Sequence, residues 1–497
     1  MERPLRSGAP KEAPRRSACW AIAEDYELCA ASLDRATDLL CEADPGPHRG
    51  DGFAGVARVH GRSFTEIGRS TRKIFPGYHS GLRPREGVMR RVTENLTVGE
   101  RVAWYRRRRG MSQVALAGLV GRTADWLGKA ENNRIELDRL SVLQRLGEAL
   151  DVRLGDLIGE PTLLDSPSGN GTSVVPALRA ALMDYRRLTP ILNVPGPDAE
   201  LSTLSELARE LRSVFDAYQA SRFGFAAERM PLLLTDVLVA ARRYDGDDQL
   251  RAHELLALSY QAAASVLTKL GEADLAWMAA ERGLGAAQES GNHVIVGSLF
   301  RSVTFALFAT GRFRPAMQLV EAGAAFLQPH LADDRPDLQS VYGTLFLAGS
   351  MAASRSQDRA TTCAYLQEAY GAADRLAVDG NHLWTAFGPT NVTIHRVNTA
   401  MELGDVQVAL DLAPGLDTTR MPIERRVRHL LDLSRAYNIV GRRDAALATM
   451  LDAERLAPEQ IRHHYLSKQL VLSWVRNARG KPELELVGLA RRMRIVV

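Results

Sequence analysis

Arg106, Arg107, Arg108 and Arg109 are consecutive in the sequence, and Gln113, Arg122, Asp125, Lys129 and Arg134 follow them closely. The cations offer charge to phosphate oxygens, the Gln113 amide can donate to a phosphate or pair with a flat polar edge, and Asp125 can accept from an amino group. Read as an exposed basic rim, Arg106 to Arg109 and Arg134 would release counterions from a polyanion, so binding would fall steeply with salt. Four arginines alone more often mark a solvated face, and only their neighbours give them weight. Other chemistry lacks its residues. There is no phosphate-binding glycine loop, HExxH, GxSxG or supported pair of nucleophile and base, so no enzyme is expected. Cys19, Cys29, Cys41 and Cys363 form no CxxC, and His463-His464 have no partner ligands, so no disulfide frame, metal or cofactor is expected.

Short helices must position these groups. VGERVAWYRRRRG reads as a helix with Val98, Val102 and Tyr105 inward and Gly110 as its stop. Ser112 caps a second helix, SQVALAGLVG, in which Leu116, Leu119 and Val120 are apolar and which closes at Gly121, and Thr123 caps a third, TADWLGKAENN. Two helices joined by so tight a glycine turn cross steeply, which presents the second of them outward. LSVLQRLGEAL and LGDLI add Leu140, Leu143, Leu146, Leu150, Leu154, Leu157 and Ile158 to a small core.

Over roughly residues 96 to 160 this pattern resembles the lambda repressor/Cro-like (Xre) helix-turn-helix family. The matching elements are Ser112-Gln113 before Leu116-Ala117, Gly121 at the turn, Thr123 as cap, Leu127 and Ala130 inward, Glu131-Asn132 closing the third helix, and the tail from Leu146 to Leu157. The resemblance implies a recognition helix whose leading residues meet base edges in the major groove of double-stranded DNA. It assigns DNA contact to Ser112, Gln113, Arg122, Thr123, Ala124, Asp125, Trp126, Gly128, Lys129, Asn132 and Arg134, with Gln113 suited to phosphate or adenine and Asp125 to cytosine. Trp126 either packs on the rim of the core or contacts a sugar or thymine methyl. Two residues depart from the family pattern: Gly128 weakens the helix by about 1 kcal/mol relative to Ala, and Asn133 stands where glycine is common, tolerable because Asn adopts the left-handed conformation.

At 497 residues the chain is too long for one core, and its 45% apolar and 25% charged residues suit a globular protein. A net charge of +4 makes any nucleic-acid footprint local. Arginine far outnumbers lysine, a composition of high-GC bacterial genomes. Residues 1–95, rich in scattered Pro, Gly and Arg, read as a largely disordered extension. It contains one amphipathic stretch, AIAEDYELCAASLDRATDLLCEA, and Met89 is the candidate true start. The helix-turn-helix domain is placed at 96–160, a linker at 161–175 around SPSGNGTS, and a helical-repeat domain at 176–497. No segment of about 18 apolar residues interrupts the chain, so a cytoplasmic protein without membrane contact is expected.

Five segments of the last domain, such as KLGEADLAWMAAERGLGAA and IVGRRDAALATMLDAERLAP, share a Gly or polar turn followed by small and apolar residues, at a spacing of roughly 37 to 48 residues. The fold expected is therefore all-α, a five-helix domain followed by an α-solenoid of helix pairs that look like tetratricopeptide repeats attached to some Xre-family regulators. Asn391, His395, Asn398 and Glu402 share one helix face, with Arg301, Arg435 and Asn438 in similar places on neighbouring first helices. The simple reading is an ordinary exposed polar face; the functional one is a groove whose amides hold an extended peptide. The whole reads as a homodimeric transcription regulator bound to a pseudo-palindromic operator and sensing a peptide, small-molecule or protein effector. The alternative is an interaction scaffold whose small domain docks protein rather than DNA.

Overall fold

The computed structural model describes residues 96–152, 154–158, 174–184, 201–331, 335–478 and 480–495. The chain divides into a unit spanning 1–84 and a second spanning 85–497. The first unit, the amphipathic stretch within it, Met89 and most of the expected linker lie outside the described residues.

Among the described residues the regular elements are helices, with one isolated bridge between Gly380 and Phe387. Five short ones come first: α1 (Val98–Arg108), α2 (Gln113–Leu119), α3 (Ala124–Glu131), α4 (Leu140–Leu150) and α5 (Leu154–Ile158). They form the head. Next come α6 (Val174–Leu182), α7 (Leu204–Gln219), α8 (Phe223–Arg243), α9 (Gly246–Lys269), α10 (Ala273–Ser290), α11 (His293–Ala309) and α12 (Phe313–Leu327). The body continues through α13 (Pro336–Arg355), α14 (Arg359–Leu376), α15 (Pro389–Leu403), α16 (Val406–Leu412), α17 (Ile423–Ile439) and α18 (Arg443–Leu456), then α19 (Pro458–His463), α20 (Tyr465–Arg476) and α21 (Leu484–Arg492). No described helix is long and apolar enough to cross a membrane.

One turn recurs through the body. Ser221, Gly271, Gly311, Gln357, Gly404 and Gly441 all have positive φ, and each ends the first helix of a pair. In every case the next amide donates to the carbonyl five residues back, as Glu272 N does to Leu267 O at 3.0 Å and Asp405 N to Ala400 O at 2.8 Å. The bond satisfies a carbonyl that the helix end would orphan and turns the chain sharply into the second helix. Helix pairs, as the sequence spacing indicated, are the result.

Each pair buries its apolar stripe only against its neighbours, and small residues bring the first helices close together. Ser259, Ser340 and Thr344 lie buried in this packing and return their hydroxyls to carbonyls four residues back, at 2.7, 2.6 and 2.7 Å. The early repeats also touch the late ones. Ser221 Oγ donates to Gln460 Oε1 at 2.7 Å, the amide of Gly224 donates to Glu459, the Gln219 and Asn381 amides exchange bonds of 2.9 Å, and Phe215 stacks on Trp384 with ring centroids 4.1 Å apart.

The head has its own core of Val98, Val102, Leu116, Val120, Leu127, Leu143, Leu146, Leu150 and Leu157. Of the apolar residues along α2, Leu116 and Val120 enter this core while Leu119 is exposed. Helix α1 crosses α3 so closely that a Cβ on Gly99 would overlap the carbonyl oxygen of Ala130. Gly99→Ala must push α1 off α3, at about 2 kcal/mol. Amide exchange in α1 and α3 is expected to accelerate in that variant while exchange in the body stays unchanged.

Candidate functional site

Caps define the outward helix. Thr123 Oγ1 accepts from the amide of Trp126 at 3.1 Å, Ser112 Oγ accepts from Ala115 at 3.0 Å, and Gly121 takes φ 66° between the two helices. Arg122 N donates to Ala117 O at 2.8 Å, which fixes the turn. At the far end Asn132 caps α3 by donating to the Gly128 carbonyl at 2.7 Å, and Asn133 takes the left-handed conformation with φ 56°. The geometry brings Ser112, Arg122, Thr123, Asp125, Lys129, Asn132 and Arg134 to the surface, with Gln113, Ala124, Trp126 and Gly128 half-buried among them. Trp126 packs against the rim of the head core, and the Arg122 guanidinium lies over its ring at 5.4 Å.

Two expectations need correction. Arg106 does not belong to the exposed rim: it is buried, its guanidinium clasps Glu131 through bonds of 2.5 and 2.7 Å, and it also donates to Met111 O at 2.8 Å. Gln113 joins the same group, donating to Glu131 at 2.8 Å. This pair ties α1 to the end of α3, and removing one partner of such a buried pair costs about 3–5 kcal/mol. Arg107, Arg108 and Arg109 remain exposed. Asp125 and Lys129 pair with each other at 2.7 Å on the open helix face, a bond worth only about 0.5 kcal/mol and so easily exchanged for an outside partner.

The second correction concerns the polar face of the repeats. Asn391, His395, Asn398 and Glu402 are not an exposed face; they are buried, as are Arg301 and Arg435. The first helices converge on a polar interior that periodicity alone could not reveal. His395 Nδ1 lies 2.9 Å from the Asn391 carbonyl oxygen, and burial together with Arg425 pushes its pKa down to about 3, so its ring is neutral. Asn398 donates to Asp432 at 2.8 Å. Asn438 accepts from the Trp474 indole at 2.7 Å.

Positive charge exceeds negative in this interior. Glu424 binds Lys269 and lies 3.4 Å from Arg425, while Asp432 serves Arg428 and Arg435. Arg301 and Arg355 make no ion pair among the described residues and rest over Phe305 and Phe308 at 5.9 and 4.7 Å. Burial pulls the Arg301 guanidinium down to about 10. Several buried polar atoms have no hydrogen-bond partner, including Arg301 Nε, Arg355 Nε and both amide atoms of Asn391. Buried polar groups left this way carry an uncompensated desolvation cost.

The head docks on the body through α1, α4 and the segment between α3 and α4. Val98 N donates to Gln469 Oε1 at 2.8 Å, Asn477 Nδ2 to Asn133 O at 3.4 Å, Gln144 Nε2 to Gly311 O at 3.2 Å, and Arg435 Nη2 to Asp138 Oδ2 at 3.1 Å. Arg476 pairs with Glu100. Sequence reasoning missed these contacts because no local signal links residues more than a hundred positions apart.

The helix-turn-helix domain model matches residues 97–159. No curated protein matches the chain. Among solved structures the chain is similar to a Rap protein complexed with competence and sporulation factor, at 12% identity and a TM-score of 0.40, covering 74% of this chain and 99% of that one. The protein is thus a helix-turn-helix domain carried on an all-helical body of repeated pairs.

Glu136, at the junction of head and body, makes docking sensitive to pH. Burial first and Asp138 second raise its pKa to about 7, against hydrogen bonds from Asn438 and Ser473 and the charge of Arg435. Its folded pKa therefore exceeds its unfolded value of 4.5. The stability it contributes is complete below that value and is lost as pH rises through about 7. Thermal melts of the full chain from acid to mildly alkaline pH are expected to show a falling midpoint over this window, and Glu136→Gln is expected to flatten the fall.

Proposed function

We propose that the protein is a sequence-specific DNA-binding transcription regulator whose α3 enters the major groove. One observation carries the reading: the leading end of α3, with Arg122, Thr123 and Asp125, is exposed and rigidly framed while the head stays docked on the body. Thr123 and the turn fix its angle, Arg122 and Lys129 face phosphate, and Gln113 reaches the backbone or adenine beside it. Arg107 to Arg109 and Arg134 strengthen binding without reading sequence. The body serves as sensor and pairing element, and two copies related by a two-fold axis would address a pseudo-palindromic site. Its interior, with excess cations and unpartnered amides, suits an effector such as a peptide or small molecule. No catalytic step enters this reading, and a bacterial cytoplasm is its setting.

A second reading, a scaffold whose head docks protein, draws on Val114 and Leu119, which are 70% and 65% exposed on α2. Selection of duplexes from a random library by the full chain separates the two. The regulator reading expects an enriched motif with two-fold character, affinity that drops steeply with salt, and a loss of about tenfold for Arg122→Ala, the scale of one base or phosphate contact. A library that stays unenriched, with binding absent or indifferent to salt, would refute it.

A further inference from the structure

We propose that the interior of the body is a receptor site for a carboxylate-bearing ligand and that Asp138 of the head is its built-in occupant, so ligand and head compete for Arg435. The inference rests on the sensing role assigned above to the body and names its ligand class and its switch.

Arg435 is the hinge of this proposal. Its side chain is 1% exposed, and its Nη1 donates to Asp432 at 2.8 Å while Glu402 lies 3.9 Å away. Nη2 is turned the other way, toward Asp138 at 3.1 Å, and Nε has no partner. One guanidinium therefore faces the interior and grips the head at the same time. Asp138 is the only one of these carboxylates supplied by the head, and its side chain is 15% exposed, at the margin of the body rather than within it. A carboxylate arriving from outside the repeats is thus already seated on Arg435.

The interior holds further groups for an incoming acid. Arg301 and Arg355, 8% and 7% exposed, carry guanidinium charge with no ion pair among the described residues and an unpartnered Nε each. Glu402 and Glu424 act on Arg355 and Arg301 from beyond ion-pair distance, and an anionic ligand in direct contact would relieve more of the cost of burying these cations. Asn391, on the same helix as Glu402, adds a buried donor and a buried acceptor that have no hydrogen-bond partner. A carboxylate brought onto Arg435 by a ligand held at these groups would leave Asp138 without its partner. The head would then be retained by its remaining contacts with Gln469, Gly311, Arg476, Asn477 and Tyr465.

The switch acts on head mobility. A docked head holds α3 at one fixed angle to the body, whereas a released head does not. The docking contacts are largely polar, with Tyr465 of the body packed against the head core, and polar contacts exchange more readily than a wholly apolar interface.

Two measurements on the full chain test the proposal without DNA. In the first, amide exchange across residues 133–139 is compared in the wild type, Asp138→Asn and Arg435→Lys. Asp138→Asn keeps the shape at a marginal position, and loss of one charged hydrogen bond should speed exchange in this segment about tenfold while α15 and α17 stay protected. Unchanged exchange would overturn the latch. In the second, a synthetic heptapeptide with the sequence of Asn133 to Arg139 is titrated into Asp138→Asn protein, with Trp474 fluorescence as the readout because its indole bonds Asn438 beside the dock. Saturable binding is expected, about tenfold weaker for the same peptide carrying Asn in place of its Asp. Equal binding of the two peptides, or no saturation at millimolar concentration, would overturn the acid site. A protein that passes both tests but selects no duplex retains its acid site and loses the regulator reading, and the reverse result removes only this inference.

Discussion

A guanidinium stripped of nearly all its water must be surrounded by carboxylates, and Arg435 gathers them from three directions. Burial pulls its pKa down, but Asp138, Asp432 and Glu402 push harder and leave it raised. That demand fixes much around it. Helix α15 must present Glu402 to α17, Asp432 must sit one turn before the arginine, and the head must bring Asp138 to the same spot. The orientation of the helix-turn-helix domain relative to the repeats is therefore tied to the electrostatics of the repeat interior. An apolar seam would hold the head equally well but would not link its position to the charge state of anything inside.

The head satisfies a different constraint by similar means. Its core is small, so a bidentate pair between Arg106 and Glu131 supplies the tie between α1 and α3 that apolar area alone would leave weak. Gln113 completes the acceptors of Glu131, and Gly99 allows the backbones to approach. The outer end of α3 takes no part in this. Its surface side chains are open to another molecule because the Arg106–Glu131 tie lies at the helix's other end.

Much of this was legible in the residues. Ser112, Gly121 and Thr123 are local signals, each acting within four residues of itself, and they place the helix ends where the structure has them. The turn rhythm of the repeats is local too, although Ser221 and Gln357 show that positive φ does not require glycine. The burial of Arg106 has no local signal, since its partner lies 25 residues away and a run of arginines looks uniform in sequence. Asn391, His395, Asn398 and Glu402 were read toward solvent for the same reason. Polar residues at helical spacing identify a shared face, but only the approach of α17 decides whether that face is wet or dry. The leading residues of α3 were placed by caps and emerged at the surface, while the docking segment from Asn133 to Arg139 carried no periodicity to betray it.

The stack of Phe215 on Trp384 and the bond from Ser221 to Gln460 join helices far apart in the chain. An open array of repeats can fray from either tip, since each unit depends on its immediate neighbours alone. Here the opening pairs are clasped to later ones, so neither tip is an independent end. Melting should then proceed as one cooperative event, and a truncation of the last helices would loosen the first.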